Sequence, residues 1–189
     1  MNEVIKPMRR VVVIDENDRS RAISDGPSPE VRTDPARPGF ASTRMWVTDR
    51  TPVRLKGLRE SLNMAHTLEP PPGGSVCRVV QFPPDTRYRG KVGAQEVRAY
   101  FSAMGSPNAS TYSPTAPHPY MQKTRTLDFA LIIEGEITLV LDTEEVHLRA
   151  GDTVVQRGTN HAWSNRSNKP CIVAFSSHDA MYQGVNGER

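Results

Sequence analysis

Along most of this chain, hydrophobic and polar positions alternate in the short runs expected of β-strands, and only one segment follows the helical period. "RRVVVIDENDRSRAISDG" predicts a hairpin. Val11 to Ile14 is β-branched, Glu16-Asn17-Asp18 supplies turn chemistry, and Arg21 to Ser24 returns. Gly26 to Gly39 is rich in proline and polar residues and reads as an extended arm. Short strands follow at Arg44 to Thr48 and at Ser75 to Phe82. "GAQEVRAYFSAMG" places Val97, Tyr100, Phe101 and Met104 at steps of three and four and ends in Gly105, so it predicts a helix. "SPNASTYSPTAPHPY" reads as loop.

From Thr124 to Ser177 the character changes to short strands separated by turn signals at roughly 8–12-residue spacing, the pattern of a sandwich or barrel. "TLDFALII" turns at Glu134-Gly135 into "EITLVLD", and "VHLR", "TVVQR", "HAWSN" and "CIVAFSS" follow. In the first of these, Leu127, Phe129, Leu131 and Ile133 are large and apolar, while Asp128, Ala130 and Ile132 occupy the other parity. That pattern predicts cover on both faces, one by the barrel interior and one by the N-terminal segment or a second subunit. The organisation expected is one domain. Residues 1–110 supply hairpin, arms and a short helix, residues 111–180 the barrel core, and residues 181–189 a tail.

Composition narrows the classes. At 189 residues the chain is long enough to bury a core. A net charge of +3, with no basic block interleaved with aromatics, argues against nucleic-acid binding. No apolar run approaches the roughly 20 residues that span a bilayer, and the N-terminal apolar stretch is too short for a secretory signal. Cys77 and Cys171 are far apart and suggest no disulfide framework. A cytoplasmic protein with reduced thiols is expected, and a homodimer is the expected assembly.

"GDTVVQRGTNHAWSN", Gly151 to Asn165, resembles the second motif of the cupin superfamily. Gly151, His161 and Asn165 stand at matching places, with Arg157-Gly158-Thr159 where a Pro-x-Gly turn would be. Counting back from Gly135, the Glu of the first motif falls on Asp128, and its two His positions fall on Thr124 and Gln122. The resemblance covers roughly the last third of the chain. It implies an all-β, antiparallel jelly-roll barrel of the RmlC-like type, with a degenerate first motif.

What the resemblance implies chemically is a pocket for a divalent metal ion (Fe, Mn, Zn or Ni) with positions open to substrate. The metal would be held by Gln122, Asp128 and His161, and Asp128 and His161 are the catalytic candidates. Gln122, Thr124, Arg125, Arg157 and Trp163 are the substrate-binding candidates. His118, of the same parity as Gln122, is a further donor candidate. A buried Asp128 also needs a cation or several donors, and Arg125 and Arg157 are the candidates for that role. His66, His147 and His178 carry no site spacing, and surface or turn roles suffice for them. The expected function is a small-molecule enzyme acting on an oxygenated, aromatic or polyketide-like substrate, by lyase, isomerase or oxidoreductase chemistry. The competing expectation is a metal-free, non-catalytic binding protein or structural dimer. A sensor-regulator is disfavoured, because the chain leaves no room for a helix-turn-helix.

Overall fold

The computed structural model describes residues 5–57 and 59–181. All but the first residue of the expected tail lies outside them. The N-terminal hairpin pairs β1 (Arg9–Glu16) with β2 (Arg19–Pro27). Asn17 and Asp18 both adopt positive φ, 56° and 58°, as a two-residue hairpin turn requires. The remaining strands, all antiparallel, form two sheets. The larger has the order β3 (Val31–Thr33), β4 (Ala41–Thr48), β5 (Ser75–Phe82), β11 (Cys171–Asp179), β6 (Thr126–Glu134), β9 (Thr153–Arg157). The smaller has β10 (Ala162–Ser164), β7 (Glu136–Val140) and β8 (Glu145–Arg149). The fold is therefore an all-β jelly roll, with its strands paired into two sheets.

One core joins the sheets. Val80, Phe82, Ala130, Ile132 and Val173 of the larger sheet pack with Ile137, Leu139 and Leu148 of the smaller. Helix α1 (Ala94–Ala103) adds Val97, Tyr100 and Phe101 to that cluster, with Met104 just beyond its last turn. Each such burial contributes about 1.5–3 kcal/mol. Gly105 ends the helix at φ 67°, where a Cβ would lie 2.0 Å from the His66 carbonyl oxygen. No larger residue fits there. Gly135, at φ 83°, makes the tight β6–β7 turn expected of it.

The strand β6 shows which parity faces inward. Thr126, Asp128, Ala130 and Ile132 are buried, while Phe129, Leu131 and Ile133 are 42%, 44% and 50% exposed. The large apolar row thus faces outward, and among the described residues the N-terminal segment does not cover it. Of the inner row, Asp128 lines a cavity, while Ala130 and Ile132 join the core.

Candidate active site

Between the sheets lies a cavity of about 80 Å³, several times the ~10–15 Å³ that one water needs. Phe82, Trp163, Phe175 and Tyr100 supply aromatic walls, and Gln122, Thr124, Asp128 and His161 supply the polar ones. Strand register explains the convergence. Asp128 on β6 lies opposite Ser177 on β11 and Gln156 on β9, and all three line the cavity. Gln122 and Thr124 precede β6, which begins only at Thr126. Gln122 nevertheless reaches the site through bridges to Ser110 and to His161.

His161 is 4% exposed. Its Nδ1 lies 3.0 Å from the Thr159 carbonyl oxygen. A carbonyl only accepts, so Nδ1 carries the proton and Nε2 presents a lone pair. The Gln122 side-chain Nε2, 3.3 Å away, donates weakly to it. Burial pushes the imidazole below its usual pKa, against the raising influence of the Thr159 hydrogen bond and the Asp128 charge. The ring is therefore a neutral base at neutral pH.

Asp128 stands at the end of a hydroxyl chain. Thr126 Oγ1 donates to Asp128 Oδ2 at 2.7 Å, which leaves Thr124 Oγ1, 2.8 Å away, to donate to Thr126 Oγ1. Oδ1 has no donor among the described residues. The chain fixes the orientation of the carboxyl without saturating it.

Several expectations need correction. Arg125 and Arg157 do not reach the cavity; they line a separate surface cleft with Leu127, Gly158 and Met181. The register explains this, because Arg157 pairs with Leu127 on the outward-facing row. Neither arginine is the partner of Asp128. His118 is buried beside Asp85 and Tyr88, away from the cavity lining. His66 is buried rather than on the surface, with Nδ1 2.5 Å from Glu30 Oε1. Asn165, conspicuous in the motif, is structural: its Nδ2 donates to the Phe82 and Lys169 carbonyls at 2.9 and 2.8 Å. The sequence reading missed Arg78, which is 5% exposed and lines the cavity from β5. Its signal was parity, since Arg78 shares its parity with the apolar Val76, Val80 and Phe82.

The donor set can be tested against a divalent metal. Gln122, Asp128 and His161 share the cavity, yet no three His, Cys, Asp or Glu residues gather there or elsewhere among the described residues. The cavity offers one imidazole nitrogen and one carboxylate, beside the neutral amide of Gln122. One nitrogen and one carboxylate do not fit a tightly held resident metal.

The cavity thus lies between the two jelly-roll sheets and is edged by one imidazole and one carboxylate. Residues 110–177 match the family model described as a cupin domain. The chain is 31% identical over 128 residues to "Phomopsin biosynthesis cluster protein D" of Diaporthe leptostromiformis, which covers 65% of this chain and 51% of that protein. It is 31% identical over 125 residues to "Cupin-domain-containing oxidoreductase virC" of Hypocrea virens, covering 64% and 48%. The chain spans about half the length of these curated relatives. A crystal structure of a putative ethanolamine utilization protein from Salmonella typhimurium aligns over 93% of this chain and 99% of that one, at 9% identity and a TM-score of 0.46. Among the described residues, no helix is long and apolar enough to cross a membrane.

Proposed function

We propose that this protein is a biosynthetic enzyme that moves a proton on a small oxygenated organic substrate held between the two sheets, in an isomerisation or elimination. The observation that carries this is a buried His161 that lines the cavity with Nδ1 3.0 Å from the Thr159 carbonyl oxygen, which leaves Nε2 as its base. His161 takes a proton from the substrate, and Asp128, oriented by Thr126 and Thr124, faces the same space as the second acid–base group. Gln122 and Trp163 position the substrate. The printed names of three relatives, "Cupin-domain-containing oxidoreductase", favour a second reading in which that proton transfer accompanies oxidation of the substrate, its two electrons passing to an acceptor supplied from outside the chain.

The test is NMR in D2O with a panel of small conjugated ketones and keto acids. Wild type is expected to wash deuterium into the carbon next to the carbonyl, and His161→Ala to do so about 100-fold more slowly or worse. Equal wash-in by the two proteins contradicts the proposal. Binding of panel members without any wash-in assigns the cavity to binding alone. Oxidised product, found with wild type only, selects the second reading.

A further inference from the structure

Arg78 is the least explained charge in the molecule. Its neighbour in register on β4 is Arg44, also buried. Arg44 is saturated: its Nε donates to Glu30, Nη1 to the Ala65 carbonyl, and Nη2 to those of Leu62 and Met64. Arg78 has only the Thr67 and Leu68 carbonyls, both on Nη2. Its Nε is buried without a partner, and no carboxylate among the described residues lies within ion-pair distance. A buried guanidinium ordinarily has a counter-charge, because desolvation is costly otherwise.

Register places the nearest carboxylate of the cavity. Arg78 lies opposite Phe175 on β11, and Asp128 opposite Ser177. Both point inward, but they stand two strands apart, about 10 Å across the sheet before any offset along it. The space between them is walled by Phe82, Trp163 and Phe175. Phe175 packs edge-on against both other rings, with centroids 6.4 and 5.3 Å away.

We propose that Arg78 is the anion-binding residue of this cavity, and that the ligand is a flat, conjugated organic acid. Its carboxylate meets the Arg78 guanidinium, its ring lies among the aromatic walls, and its far end meets His161 and Asp128. A planar fork of donors suits a carboxylate. This rests on reading the cavity as the small-molecule site and adds to it the charge and shape of what enters.

Calorimetric titration of the full chain with benzoate and cinnamate, and with their neutral amides, tests it. Wild type is expected to bind the acids and to prefer them over the amides about tenfold or more. Arg78→Gln is expected to remove that preference, weakening the acids about 10- to 100-fold while leaving the amides unchanged. Arg157→Gln, on the outer cleft, is expected to keep the preference. Arg37 also lines the cavity but is paired with Asp34. If Arg78→Gln does not fold, Arg78→Lys, which keeps the charge and loses the planar fork, takes its place and is expected to reduce the preference. An unchanged preference overturns the role of Arg78. Amides that bind as well as acids overturn the role of Arg78 and leave the cavity a small-molecule site. A cavity that binds neither acid nor amide overturns both readings.

Discussion

Two buried carboxylates in this molecule each have a histidine nearby, and they are built to opposite ends. Asp85 is saturated. Tyr88 Oη donates to Oδ1 at 2.7 Å, the Asn165 backbone N–H donates to the same oxygen at 3.1 Å, and Ser164 Oγ donates to Oδ2 at 2.5 Å. Burial works to raise this carboxyl's pKa, but the neighbouring His118, with Nε2 3.7 Å away, and hydrogen bonds from Ser164 and Tyr88 outweigh it and hold it below the ordinary range. The node ties the turn after β5 to the end of β10. Asp128 receives one hydroxyl and keeps one oxygen open, and its histidine offers a lone pair to a cavity. The same residue types thus serve as a structural rivet in one place and as a receptive surface in the other. What separates them is how many donors the surrounding strands supply.

The comparison breaks most visibly on stability. Asp85→Ala strands three buried donors and is expected to lower unfolding free energy by about 3–5 kcal/mol. Asp128→Asn, which keeps an acceptor for Thr126, is expected to change it by about 1 kcal/mol or less. Denaturant unfolding of the two variants checks this, and equal losses would erase the distinction.

A smaller effect sharpens the description of the open site. Gln122→His would place a second imidazole where the present amide meets His161 Nε2. Zinc affinity, followed by titration, is expected to rise about tenfold or more over wild type. Unchanged affinity would show that residue 122 does not point at His161.

Acidification gives a smaller, graded response. Burial lowers the pKa of His66, His118 and His161 in the folded protein. The unfolded chain therefore binds more protons in this range, and stability rises with pH. The melting temperature is expected to fall as pH drops below about 6.5, the unperturbed histidine value. A melting temperature flat from neutrality down to that of the ordinary carboxylates would contradict the burial of all three rings. Smallest of all, Arg157→Gln is expected to alter stability by about 0.5 kcal/mol or less, since the side chain is exposed and outside the cavity.

Much of the fold was legible because strand periodicity and turn chemistry agree with each other here. Ser75–Phe82 is a strand over the expected span, and the hairpin turns at Asn17-Asp18. The core face of α1 follows the spacing of Val97, Tyr100, Phe101 and Met104. The site was legible in part. Gln122, Thr124, Asp128, His161 and Trp163 do line one cavity. Arg125 and Arg157 line the outer cleft and not the cavity, and parity accounts for it. Both have the opposite parity to the neighbouring cavity residues, Thr124 and Gln156. The inward face of β6 could not be read from hydrophobicity, since the larger apolar residues lie outside. Arg78 escaped because a lone charge in an apolar strand does not reveal whether an acid awaits it, and that depends on strands distant in the chain.

Long-range proton–nitrogen correlation of the histidine imidazoles, recorded across the acidic range, tests the central claim most directly. The account predicts that His161 carries its proton on Nδ1, with Nε2 bare, and remains neutral below the pH at which an ordinary histidine is protonated. A proton on Nε2 would mean that no base faces the cavity, and protonation at the ordinary value would mean that burial does not hold the ring neutral; either result would contradict the account.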